Sequence, residues 1–240
     1  MSVNIDMSPY FSKYEQLMQI VDNIFNKMKK DFNNEVNCDN GCTDCCYALF
    51  DLTLVEALYL NQKFQELDQD LKYRILVEAD KTDRKTYKIK KKLFKSQQQG
   101  APEDELLKTA ATEKVRCPLL DSDKCVLYPH RPLTCRLYGL PLKVGDAAVT
   151  CSMSGFEPGV QYPTVSMQKL HIQLVNLSHE LSLGIRSRYP ELYTVLVPVS
   201  MALLTEYSHE YLGIPTREQQ EDLEGKQEDP SRQWVLGNKE

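Results

Sequence analysis

The chain has 240 residues, 42% of them apolar and 26% charged, with a formal net charge of −5 at neutral pH. That length can bury a sizeable core, so neither metals nor disulfides are needed merely to compensate for small size. The acidic balance argues against general nucleic-acid binding.

The first thirty residues contain no unbroken apolar stretch of the secretory kind. The most apolar run, Leu192 to Leu204, is shorter than the roughly 20 residues of a spanning helix and is interrupted by Pro198. It reads as buried core, and the expectation is a cytoplasmic chain without a membrane span, whose thiols stay reduced.

In chain order, Tyr14, Leu17, Met18, Val21, Ile24, Phe25, Met28 and Phe32 recur at spacings of three and four, which predicts an amphipathic helix. Thr53 and Glu56 have the spacing of a capping box, with Leu54, Ala57, Leu58 and Phe64 as the apolar stripe of the helix behind it. From Leu71 to about Gln98 the pattern is helical and very polar, ending in RKTYKIKKKLFK, where seven of twelve residues are basic. Acids at Glu78, Asp80 and Asp83 lie just upstream, so a solvated helix face is preferred to a nucleic-acid patch. Docking of an acidic protein partner on Lys90, Lys91 and Lys92 is the alternative use of this stretch.

Pro102, followed by Glu103, Asp104 and Glu105, suits the opening of a short helix. Residues 115 to 163 are rich in proline and turn signals such as DSDK, which predicts loops with short strands. Met167, Leu170, Leu174, Leu177 and Leu181 mark a further helix, and Pro198 is expected to open a last one running to about Tyr211. From Thr216 the chain is polar and acidic, and an extended disordered tail over 216–240 is expected, with Trp234 available as an anchor. The fold class expected is mainly α: a helical domain over 1–215 wrapped around an irregular cysteine-rich metal-binding segment, about 38–151, with short strands.

Eight cysteines fall into two groups, Cys38, Cys42, Cys45 and Cys46, then Cys117, Cys125, Cys135 and Cys151. Thiolates are soft, charged ligands that favour zinc or iron–sulfur clusters over magnesium or calcium. The two-residue gap between Cys42 and Cys45 lets a tight turn aim both sulfurs at one ion. Neighbouring Cys45 and Cys46 are expected to diverge, either serving different sites or leaving one thiol unligated. The second group lacks the paired knuckles of zinc fingers, so the site is expected to be wrapped by distant loops.

CDNGCTDCC, Cys38 to Cys46, and CPLLDSDKCVLYPHRPLTCRLYG, Cys117 to Gly139, together resemble the YkgJ-type cysteine-cluster family, the CxxCxxCC zinc- or iron-chelating domain. The resemblance spans Cys38 to Cys151 and includes the YP-x-RP-x2-CR signature at Tyr128, Pro129, Arg131, Pro132, Cys135 and Arg136. Cys38 and Cys42 are separated by one residue more than the family pattern. The resemblance implies a site for zinc or an iron–sulfur cluster, 4Fe–4S being the cluster type expected, ligated by up to all eight cysteines. A related cysteine cluster in flagellin lysine N-methylases extends this to an alternative, an iron–sulfur enzyme such as an S-adenosylmethionine-using protein methyltransferase or a redox protein; whether the chain is an enzyme is left open. A third reading is an interaction module with a purely structural metal.

Arg131 and Arg136 are expected beside the thiolates, offsetting their charge. Three cysteines also show the C-x3-C-x2-C spacing of radical S-adenosylmethionine enzymes, but no β/α succession follows them. A thioredoxin-like reading of Cys42 to Cys45 lacks its βαβ context. His171 and His179 are too far apart on one helix to clasp an ion together, and His130, inside the signature loop, is the remaining imidazole to consider as a ligand.

Overall fold

The computed structural model describes residues 6–38, 41–145 and 147–215. The acidic tail 216–240, with Trp234, lies outside the described residues. The architecture is mainly α, as the periodicities predict.

Helix α1 (Ser8–Asp31) turns its predicted stripe inward, with Tyr14, Met18, Val21 and Met28 buried. A 3-10 turn, Asp44–Tyr47, carries Cys45 and Cys46, and leads through strand β1 (Asp51–Thr53) into α2 (Leu54–Gln65). The capping box forms: the Glu56 carboxylate accepts from the Thr53 N–H at 3.2 Å and from its hydroxyl at 3.1 Å. α2 is hydrophobic nearly all round, because it lies between two cores rather than on one.

Helix α3 (Gln69–Gln98) runs unbroken for 30 residues and is capped by the Asp68 side chain, which accepts from the N–H groups of Asp70 and Leu71. It buries Ile75, Ala79, Thr86 and Ile89 and leaves most of its lysines in water, as expected. Lys90 is the exception: its ammonium binds both carboxylate oxygens of Asp51 at 2.5 and 2.7 Å. That charge is matched within the chain by Asp51.

Helix α4 (Glu103–Thr112) is followed by the loop-rich stretch. Strands β2 (Leu120–Asp121) and β3 (Lys124–Cys125) form a hairpin pairing Leu120 with Cys125. Its turn residues Ser122 and Asp123 both have positive φ, as a two-residue turn between right-twisted strands requires. A short helix, α5 (Leu133–Leu137), follows Pro132 and was not expected from the sequence. Strand β4 (Leu142–Val144) pairs antiparallel with β5 (Ala147–Val149) and parallel with β6 (Val165–Ser166), which opens α6 (Met167–Gly184).

The end of the chain departs from expectation. Strand β7 (Leu196–Pro198) pairs antiparallel with β1, setting Asp51 opposite Pro198 and Thr53 opposite Leu196. Pro198 caps α7 (Val199–Leu204), which stops well short of Tyr211. Tyr207 and Tyr211 pack edge to face on each other beyond that helix instead of extending its stripe. The apolar run around Pro198 is only half core: Val197, Ala202 and Leu203 are buried, whereas Leu196, Met201 and Leu204 are exposed.

One hydrophobic core joins α1, α2, α5 and α6, and a second joins α2, α3 and α7 with Leu119 and Leu127. Cys38 packs at the edge of the first, Cys117 and Cys125 at the edge of the second. The cysteine-rich segment therefore sits where the two cores meet. Among the described residues no helix is long and apolar enough to cross a membrane.

Candidate metal centre

Two backbone hydrogen bonds bring the separate cysteine groups together. The N–H of Cys117 donates to the carbonyl of Cys46 at 2.7 Å, and the N–H of Val115 donates to that of Tyr47 at 3.1 Å. Polar side chains of α3 hold the same segment from the other side: the Thr82 hydroxyl donates to Arg116 O at 3.1 Å, and Lys85 to Lys114 O at 2.7 Å. Cys125 comes from the β2–β3 hairpin and Cys135 from α5.

The result is a cleft with a cavity of ≈ 60 Å³, lined by Cys42, Cys45, Cys46, Cys117, Cys125 and Cys135. Arg131, Tyr128, Phe50, Thr82, Thr86 and Val199 also line the cleft. All eight cysteines carry free thiols, and Cys46 is buried while the others are partly exposed.

Cys45 is the hub. The thiols of Cys135 and Cys46 both donate to its sulfur, and these bonds, with Arg131 nearby, hold the Cys45 thiol far below its ordinary value. The donors are pushed up in turn, because each would have to surrender a proton next to a thiolate. Consecutive Cys45 and Cys46 do not diverge as the sequence suggested; the tight 3-10 turn keeps their sulfurs in contact. Burial raises the other cleft thiols, that of Cys117 to about 12.

The remaining two cysteines lie beside the cleft rather than in its wall. Cys38 sits against Gly139, where φ is +100° and an added Cβ would fall 2.9 Å from the Cys38 Cβ. Its thiol, raised to about 11 chiefly by burial, is hydrogen-bonded with that of Cys42. The Cys151 thiol donates to the Asp44 carboxylate at 3.2 Å and is likewise raised to about 11 by burial. Burial alone would raise the Asp44 carboxyl, but donors from Cys151 and Tyr138 and the Lys114 ammonium, 3.4 Å away, outweigh it and hold the carboxyl low.

The two signature arginines part company. Arg131 stacks on the Tyr128 ring with its guanidinium carbon 3.9 Å from the centroid, and its charge reaches Cys38, Cys45 and Cys125. Arg136, expected beside the thiolates, instead clamps the loop: it is buried and donates to Arg131 O at 2.9 Å, to Pro129 O, and to Asp22 of α1 at 2.6 Å. His130 is not in the cleft wall either. Its Nδ1 meets the Tyr59 hydroxyl at 3.0 Å, and that hydroxyl donates to Glu15 at 2.9 Å. Burial lowers the His130 pKa, and Lys63 reinforces the effect.

Sequence reasoning passed over two groups that shape this region. Asp44 lies within CTDCC, but an acid beside cysteines carries no distinctive signal. Glu56 was read only as a cap, yet its other oxygen accepts from the Leu133 N–H at 3.2 Å and the Tyr14 hydroxyl at 3.4 Å. It thereby ties α2 and α1 to the start of the helix that presents Cys135.

The donor chemistry suits a thiophilic metal: soft thiols from distant segments, with a cation and a carboxylate alongside. Among the described residues no three His, Cys, Asp or Glu side chains already form a group that could hold an ion. Closing these side chains on an ion would require loss of the thiol protons and rotation of the side chains.

A helical frame thus gathers thiols from both halves of a long excursion around one cleft. Residues 37–152 match the family model described as CxxCxxCC, "Putative zinc- or iron-chelating domain". No curated protein and no solved structure matches the chain.

Proposed function

We propose that this chain binds zinc or an iron–sulfur cluster, 4Fe–4S being the cluster type, through thiolates drawn from its eight cysteines, in the cytoplasm where those thiols stay reduced. The observation that carries the reading is the convergence of Cys42, Cys45 and Cys46 with Cys117, Cys125 and Cys135 on one cleft. The bound group would supply either a structural Lewis-acid centre or an electron-transfer centre. The chain's part is to lower the proton affinity of Cys45 through the thiols of Cys135 and Cys46, to place the Arg131 guanidinium against the accumulated negative charge, and to shed thiol protons on binding.

Phe50, Thr82, Thr86 and Val199 line the same cleft as the sulfurs, which favours a second reading. In it the centre is an iron–sulfur cluster that acts on a small reactant lying against this wall.

Anaerobic purification followed by measurement of zinc, iron, acid-labile sulfide and the visible spectrum tests both. Bound metal that is lost in Cys135→Ser is the expected result. Iron with sulfide, and a band that bleaches on reduction, selects the second reading; zinc without colour excludes it. A metal-free protein whose melting temperature is unmoved by added metal or chelator would overturn the proposal.

A further inference from the structure

Helix α3 changes character along its length. Up to Lys85 its cations are matched inside the chain: Lys72 donates to Gln65 O, Arg74 pairs with Asp121, Lys81 with Glu78 and Arg84 with Asp80, and Lys85 donates to Lys114 O. Beyond it Lys90 reaches the Asp51 carboxylate. Lys88, Lys91, Lys92 and Lys95 are exposed and, among the described residues, have no carboxylate within ion-pairing distance. Two large rings stand among them. Tyr87 is 63% and Phe94 60% exposed, and the Lys91 ammonium lies 5.9 Å from the Tyr87 ring centre. Helical residues three, four and seven apart align, so these side chains share one face, opposite the face that buries Thr86 and Ile89.

Unmatched cations around exposed rings fit a partner that brings carboxylates together with an aromatic anchor. A second copy of this helix does not supply them, because no Asp or Glu occurs between Arg84 and Gln98. The chain itself does, beyond the described residues. Between Glu218 and Asp229 six acids stand against one lysine, and Trp234, Val235 and Leu236 follow.

We propose that the outer face of α3 from Tyr87 to Lys95 is the docking site for the chain's own segment 218–236, whose acids meet Lys88, Lys91, Lys92 and Lys95 and whose Trp234 packs against Tyr87 and Phe94.

The reach suffices. Ile214 packs in the first core and α3 covers the second. Thr216 to Trp234 is 19 residues, which span at most roughly 60 Å; a compact domain of about 215 residues is roughly 45 Å across. Single exposed ion pairs are weak, but a tether holds both segments at high effective concentration, so several such pairs and one aromatic contact act together. Docked there, the segment lies along the helix whose Thr82 and Lys85 hold the backbone of Arg116 and Lys114, and it closes that face to competing polyanions.

Trp234 is the chain's one tryptophan, so its fluorescence in the intact, reduced protein reads the docking directly. At low salt its emission is expected to be blue-shifted and shielded from acrylamide, equally at every protein concentration. About 1 M salt, where the Debye length falls to about 3 Å, should release it. The triple variant Lys88→Glu, Lys91→Glu, Lys92→Glu should lower the docked-to-released ratio at least about 10-fold at low salt. Adding Glu221→Lys, Asp222→Lys and Glu224→Lys to that variant should restore docking. Phe94→Ser should shift the emission to the red although every ion pair is kept. Should the triple variant fail to fold, salt release and Phe94→Ser decide alone. A Trp234 as open to acrylamide at low salt as free tryptophan, or one that neither lysine reversal nor Phe94→Ser alters, would overturn the docking. Shielding that grows with protein concentration would overturn it in favour of pairing between copies.

Discussion

Glu56→Gln probes the joint between the helical frame and the cysteine loops. One carboxylate oxygen serves the Thr53 N–H and hydroxyl, and the other serves the Leu133 N–H and the Tyr14 hydroxyl. Glutamine offers one oxygen, so whichever way its amide is turned an NH₂ group faces a backbone N–H. Loss of the capping box costs about 1 kcal/mol, and stranding the buried Leu133 N–H costs about 1–3 kcal/mol. The amide can keep one of these sets but not both, so a fall of about 1–3 kcal/mol is expected on urea unfolding of the reduced, metal-free protein.

The pH dependence has a definite sign. Burial raises the Glu56 carboxyl, and the four hydrogen bonds offset that only in part. A carboxyl whose folded pKa lies above its unfolded one binds its proton more tightly in the native state. Its contribution to stability is then complete below the unfolded value, about 4.3, and is lost as pH rises through the folded value. The gap between wild type and Glu56→Gln should be widest in acid and narrow as pH rises. A gap that widens with pH, or a loss under about 1 kcal/mol at every pH, would refute the reasoning.

Two further substitutions test the loops that present the sulfurs. Arg136→Lys keeps the charge, but one ammonium cannot reach Asp22, Pro129 O and Arg131 O together. Stability should fall by about 2–4 kcal/mol, and zinc affinity by about 10-fold, in the same unfolding assay and in a zinc titration; unchanged values would show that the clamp is incidental. Gly139→Ala forces a Cβ into left-handed backbone and against Cys38. A cost of about 1–3 kcal/mol is expected, together with faster reaction of the Cys38 thiol with an aromatic disulfide reagent; a melting temperature equal to that of the wild type would contradict the packing described.

What was legible in the sequence was what is local. The α1 stripe, the capping box at Thr53 and the α6 stripe are set by spacings within a few turns, and each forms where the pattern places it. Helix α5 has five residues, too few for a period to register. Strand β7 exists because β1, far away in the chain, offers it a partner. The extension of the last helix toward Tyr211 followed an apolar spacing that the fold uses instead for an aromatic pair beyond Leu204.

At the site, the cysteines were legible because clustered thiols are chemically unusual. Arg136 was misplaced because adjacency to Cys135 carries no direction: consecutive residues of a helix point about 100° apart. The motif therefore places the right residues in the right region, while only coordinates distinguish the one that meets the sulfurs from the one that braces their loop.

The Cys46–Cys117 backbone contact has a kinetic consequence. Bringing together the ends of a flexible stretch of about 70 residues costs roughly 4 kcal/mol of closure entropy. In this fold the two cores and this short backbone junction share in meeting that cost. With the two segments so joined, an ion would have only to wait for side chains to swing, a nanosecond event. Capture should accordingly follow the supply of metal, and release should not require the chain to unravel.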